Sequence, residues 1–197
     1  MARRPENHPR ISLNKLSEFM TATIPRQRRI IRDQKFPTDF KGSYYREAQD
    51  AVASCIASEL TDVAVVERQI AILNQQAPET VGTQRRIASN VDALEAFLEM
   101  LDEINLQGAT PSLGANTAPK ARIRNVDISV RPEIILRSEN RNGTIVGAMK
   151  LHFPKTNQLN DQSAGYVSAV LQEWVLTHMA DEGTAFGPLC SIVDVGS

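Results

Sequence analysis

The chain has 197 residues, 42% hydrophobic and 23% charged, with a formal net charge of −1. That is enough for one domain with an appendage or for two small ones, with a real core. No apolar run approaches the ~18 residues of a membrane span, and no apolar stretch follows the basic MARRPENHPR, so neither a membrane helix nor a signal peptide is expected. The chain reads as cytoplasmic.

Charge is unevenly spread. Residues 1–36 carry nine Lys/Arg against three Asp/Glu. Residues 1–10 read as a disordered basic arm. Ser12 reads as the N-cap of a short helix carrying Leu13, Leu16, Phe19 and Met20. Pro25 ends that helix and opens a second, RQRRIIRDQK, which displays Arg26, Arg28, Arg29 and Arg32 around Ile30 and Ile31. A loop is expected from Phe36 to Gly42.

Three further helices follow. One spans about Ser43 to Leu60, with Tyr45, Ala48, Val52, Cys55, Ile56 and Leu60 on one stripe. Another spans Thr61 to Gln75, and a third Thr83 to Asn105. The last two repeat apolar residues at spacings of three and four, as an antiparallel hairpin with a coiled-coil-like seam would. Residues 106–119, LQGATPSLGANTAP, read as a linker. Residues 11–105 are thus an all-helical region and 120–197 a sheet-containing one, and the helix over 83–105 is open to assignment to either.

In the second region Ala121 to Arg124 suggests a short strand. Ile128, Val130, Ile134 and Leu136 alternate with Asp127, Ser129, Arg131, Glu133 and Arg137 as one strand, with Pro132 marking an edge or bulge. SENRNG is the turn, with Asn142-Gly143 as the hairpin signal. The partner strand runs from Thr144 to Phe153. Asn160 or Asp161 caps a helix to about Ala180, and Leu189 to Val195 is a last strand. Cys55 and Cys190 sit in apolar segments without CxxC spacing, as buried reduced thiols do. No GxGxxG, Walker loop, GxSxG or multi-histidine cluster occurs.

The chemistry concentrates in the hairpin. With Asn142-Gly143 as a two-residue turn, Glu133 lies opposite His152, and Lys150 lies opposite Ile135 with Glu133 and Arg137 as diagonal neighbours, roughly 4.5–8 Å apart at Cβ. A strand carboxylate can bind Mg²⁺, and a neighbouring lysine can orient the attacking water and stabilise charge on a phosphate. The plain reading is a cross-strand ion pair on a solvated sheet face. His152 is read as a proton shuttle or phosphate contact, or as a partly exposed strand residue.

The order helix, short strand, strand, strand, helix, strand over residues 83–195 resembles the restriction-endonuclease-like core of the PD-(D/E)xK nuclease superfamily. Pro132-Glu133 is similar to the first half of that motif, and Ala148-Met149-Lys150 to the second. The resemblance implies an α/β (α+β) fold: a helical N-terminal region with a long hairpin, then an α-β-β-β-α-β core. It further implies Mg²⁺-dependent phosphodiester hydrolysis of DNA, with Glu133 as metal ligand and Lys150 as catalytic lysine. Ala148 stands where the second acid belongs. Superfamily members that take this acid from the following helix point to Glu173, beside Gln172; those that take one from the preceding helix point to Glu95 or Glu99. Without such an acid, the expectation is a degenerate relative that only binds nucleic acid. In either version Arg26, Arg28, Arg29, Arg32, Arg131 and Arg137 are expected on backbone phosphates, the plain alternative being a solvated helix face and sheet rim. The rival expectation is a non-enzymatic protein that oligomerises through the helical hairpin and uses the sheet as scaffold.

Overall fold

A computed structural model describes residues 8–36, 44–154 and 159–196. Most of the expected arm and loop (1–7 and 37–43) lies outside the described residues. The chain forms a mixed α/β structure in three layers. The central sheet has the order β2 (Thr110–Leu113), β5 (Ile134–Asn140), β6 (Gly143–His152), β7 (Thr184–Ala185), and β8 (Ser191–Asp194) also pairs with β6. β2, β5 and β6 are antiparallel, whereas β7 and β8 run parallel to β6.

Period-two alternation loads both faces of this sheet. Ile134, Leu136, Met149 and Leu151 join one core with α3 (Arg46–Ala57), α4 (Ala64–Asn74) and α5 (Val81–Glu99). Ile135, Val146 and Ala148 join a second core with α6 (Asp161–His178), α1 (Leu13–Thr21) and α2 (Ile24–Lys35). No solvated face remains along β6, where Val146 through His152 are all buried. Cys55 and Cys190 are buried free thiols, and burial pushes both above their ordinary range.

α4 and α5 pack as the expected antiparallel hairpin, and a 3₁₀ turn over Leu101–Glu103 follows α5. Buried Asn90 ties α5 to the start of α3: its Oδ1 accepts from the Ala48 N–H (2.9 Å), and its Nδ2 donates to the Tyr44 (2.7 Å) and Arg86 (2.9 Å) carbonyls. α6 starts in a capping box, with Asn160 Oδ1 accepting from Ser163 N–H and Ser163 Oγ from Asn160 N–H. It crosses over from β6 to the parallel strand β8 as a βαβ unit does.

Four expectations change. Residues 106–119 are not simply a linker, because Thr110–Leu113 is an edge strand on β5. The single strand expected through Pro132 is two. β4 (Val126–Ser129) pairs with β1 (Arg10–Ser12) and β3 (Ala121–Ile123) in a small separate sheet, and β5 restarts in the main one. The break falls at Arg131, a non-glycine residue at φ 41°. Ser12 occupies the N-cap of α1 as expected, but its side chain makes no capping hydrogen bond.

The hairpin register also shifts by two. The turn residues are Arg141 and Asn142, so Asn140 pairs with Gly143, which takes φ 112°. The Asn142 N–H bonds back to Asn140 Oδ1 at 2.8 Å, an Asx-type turn.

Candidate functional site

The register shift decides the site. Ile134 pairs with Met149, and the Glu133 N–H donates to the Met149 carbonyl at 3.1 Å. Glu133 therefore stands across from Lys150, where the two-residue turn had set His152. A shift of two keeps each side chain on its face, so the parity is preserved while the pairing changes.

Each of the two residues is 9% exposed. Lys150 Nζ pairs with Glu133 Oε1 and also donates to the Arg131 carbonyl at 2.8 Å. Two more donors converge on the carboxylate: Gln49 Nε2 reaches Oε1 at 2.9 Å, and the Leu151 N–H reaches Oε2 at 2.7 Å. Burial pushes the Glu133 carboxyl above its ordinary value, against the pull of Lys150 and the Leu151 N–H. The left-handed φ of Arg131, which costs on the order of 1–3 kcal/mol for a non-glycine residue, belongs to the residue whose carbonyl holds Lys150.

Glu133 also forms one wall of a polar cleft of about 530 Å³. α3 contributes Arg46, Gln49, Asp50 and Ser54, and the segment after β2 contributes Gly114 and Asn116. Arg131 and Pro132 close the cleft. Gly114 allows two backbones to meet there: its N–H donates to the Glu133 carbonyl at 2.7 Å, and a Cβ would stand 2.0 Å from the Pro132 oxygen. Arg46 lies 3.7 Å from Asp50, with both side chains largely in water.

The other expected site residues are scattered. His152 is 1% exposed and is not among the residues lining the cleft. Glu173 is exposed on α6, off the buried stripe of Val167, Leu171, Trp174 and Val175 that packs on the sheet. Gln172 is likewise exposed, and Glu95 and Glu99 project from the exposed side of α5. Arg26 is engaged by buried Glu18, and Arg137 by Glu182 and by Ser112 Oγ at 2.7 Å. Arg28, Arg29 and Arg32 line a separate hollow on α2 with Pro25. Of the expected basic residues, Arg131 alone lines the cleft. Gln49, Arg46 and Asn116 line it without having been flagged; no motif or spacing marks them.

This donor set does not fit a magnesium ion. Mg²⁺ takes near-octahedral oxygen ligands, with carboxylates free to face it. The Glu133 oxygens are already met by three protein donors, Ala148 is fully buried and has no side-chain oxygen, and Glu173 is exposed on α6. Among the described residues no group of three or more His, Cys, Asp or Glu side chains is arranged to hold a metal. The Glu133–Lys150 pair is a largely buried ion pair at the wall of a cleft whose lining includes the guanidinium groups of Arg46 and Arg131, the Asp50 carboxylate and the amides of Gln49 and Asn116. Among the described residues no helix is long and apolar enough to cross a membrane. No family model, curated protein or solved structure matches the chain.

Proposed function

We propose that this chain is a divergent relative of the PD-(D/E)xK nucleases that binds nucleic-acid phosphates in the Arg46–Arg131 cleft without cleaving them. The observation that carries the reading is the buried Glu133–Lys150 pair behind a cleft walled by Arg46 and Arg131. In an active site of that superfamily the carboxylate faces a metal; here it faces a lysine, a glutamine and a backbone N–H. The order α5, β2, β5, β6, α6, β8, antiparallel through β6 and parallel thereafter, also supports an α-β-β-β-α-β core. β3 and β4 then count as an insertion between its first two strands, and the N-terminal β1 pairs with β4 to complete the small sheet.

The residues have distinct jobs in this reading. Arg46 and Arg131 offer planar forks that suit phosphate oxygens. Asn116, Ser54 and Gln49 add neutral hydrogen bonds. The Lys150–Glu133 brace fixes the backbone of Arg131 and so aims its side chain at the cleft. Binding of this kind positions a backbone without reading sequence.

The test is a salt titration of binding to labelled duplex and single-stranded DNA, alongside a cleavage assay in Mg²⁺ and Mn²⁺. Binding to uncut DNA is expected. Its log K against log salt slope should become shallower by about two when Arg46 and Arg131 are both replaced by alanine. Metal-dependent cutting abolished by Lys150→Ala and Glu133→Ala would replace this reading with an active nuclease.

A further inference from the structure

The side of α2 that faces solvent is apolar as well as basic. At 3.6 residues per turn, Ile24, Arg28, Ile31, Arg32 and Lys35 fall within an arc of about 100°. Ile30, the residue that α2 buries, lies about 150° from the middle of that arc. All five residues of the arc are exposed, Ile24 at 65% and Ile31 at 51%. No acid falls within it. Among the described residues Arg28 and Lys35 form no salt bridge, and Arg32 has only a 4.0 Å contact with Asp33.

The apolar surface continues off the helix. Ile31 and Lys35 wall a hollow of about 510 Å³ together with Ile11, Leu16, Phe19 and Val126, and neither Asp nor Glu lines it. Val126 pairs with Ile123 across the β3–β4 hairpin, so the two side chains share a sheet face. They too are exposed, and so is Arg124 in the turn between them, a further cation. A single exposed isoleucine is ordinary. Two of them two turns apart, beside an open apolar hollow and bordered by cations alone, form a patch that marks an interaction surface.

We propose that this face of α2, with the tip of the β3–β4 hairpin beside it, docks on an anionic lipid bilayer. Ile24, Ile31 and the rim of the hollow meet the boundary between headgroups and acyl chains, while Arg28, Arg32 and Lys35 reach the anionic headgroups. A basic helix with an apolar stripe lies in the interface plane in this way. A bilayer answers both halves of the face. Nucleic-acid phosphates would meet the arginines but leave the isoleucines and the hollow in water. α2 has only 12 residues, so neither the apolar contact nor the charge suffices alone, and the binding is reversible and screened by salt. The inference does not depend on the cleft.

The experiment is co-sedimentation of the full chain with two sets of vesicles, at low and high salt. One set is phosphatidylcholine alone, and the other is equal parts of phosphatidylcholine and phosphatidylserine. Wild type is compared with Arg28→Glu, Arg32→Glu and with Ile24→Ser, Ile31→Ser. All four positions are exposed, and circular dichroism confirms that each double variant is folded. Wild type is expected in the pellet with mixed vesicles at low salt, and in the supernatant with phosphatidylcholine alone or at high salt. Each cation near an anionic leaflet strengthens partitioning about fivefold, so the arginine variant should bind at least about 25-fold more weakly. The isoleucine variant keeps its charge and should still bind roughly tenfold more weakly. A wild type that stays in the supernatant with mixed vesicles, or pelleting that the isoleucine variant leaves unchanged, would overturn the proposal. If no vesicle holds the protein, DNA binding that falls in the arginine variant would give the face to nucleic acid, and self-association that the isoleucine variant abolishes would give it to a second copy.

Discussion

Replacing Lys150 with methionine keeps most of its volume and removes its charge. The substitution strands a carboxylate that is 9% exposed and leaves the Arg131 carbonyl without the Nζ donor. Breaking one side of a buried pair costs about 3–5 kcal/mol, against a total stability of roughly 5–15 kcal/mol. For a domain of this size that is a fall in Tm of roughly 6–20 °C. Burial raises the Glu133 carboxyl, and losing Lys150 removes the largest opposing pull. A carboxyl raised in the folded state holds its full contribution below its ordinary value of 4.5 and loses it as pH rises through the folded value. The Lys150→Met deficit should therefore be largest at neutral pH and shrink on acidification, as Glu133 takes up a proton. Glu133→Leu combined with Lys150→Met removes both charges and should lie between wild type and either single variant. Urea unfolding across pH for all four proteins supplies the cycle. A Lys150→Met cost within about 1 kcal/mol, flat with pH, is what a solvated surface pair would give, and it would refute the brace.

Two other perturbations test the frame around the cleft. Asn90→Ala leaves the Ala48 N–H and the Tyr44 carbonyl without their partner at the start of α3; a loss of about 2–4 kcal/mol is expected in chemical unfolding, and a loss under about 0.5 kcal/mol would mean that α3 does not depend on this anchor. Burial raises Glu18, but Lys15 and Arg26 more than offset it and hold its carboxyl below its ordinary 4.5. The stability it contributes is present above 4.5 and lost as pH falls through the lower folded value. The Tm gap between wild type and Glu18→Gln should thus narrow in acid, and a gap that widens there would contradict the Lys15–Glu18–Arg26 arrangement.

Much of this frame can be read from the chain. The α4–α5 pairing, an N-cap at Asn160 and the period-two alternation of the hairpin follow from local pattern. What escapes is non-local or conformational. Nothing in ISVRPEII announces that Arg131 turns left-handed, yet that one residue sends β4 and β5 into different sheets. The apolar alternation continues across the break as if the strand were whole. β2 was hidden by its composition: Pro111 punctuates like a linker, but an edge strand tolerates a residue without an N–H. β1 pairs with β4 across more than a hundred residues of chain, a match no local rule contains.

At the site, residue types were legible and partners were not. Glu133 and Lys150 stood out as a carboxylate and a lysine of one face. That they face each other, and not His152 and Ile135, hung on whether Gly143 sat inside the turn or just after it. Gln49 and Arg46 reach the cleft from a helix more than eighty residues away in the chain. Burial made the larger difference. A pair expected on a solvated face is enclosed because α6 and the α3–α5 layer cover both sides of β6, and there the Glu133 carboxylate is met by Lys150, Gln49 and the Leu151 N–H.

The most direct test of the cleft reading is fluorescence anisotropy of a labelled DNA duplex, first in EDTA and then in Mg²⁺, followed by a denaturing gel of the same samples. The account predicts that Mg²⁺ brings no gain in affinity and only the weakening expected of an added cation, full-length DNA on the gel, and roughly tenfold weaker binding by the Arg46→Ala, Arg131→Ala double variant. Binding that the double variant leaves unchanged, or DNA shortened in Mg²⁺ by wild type but not by Lys150→Ala, would contradict it.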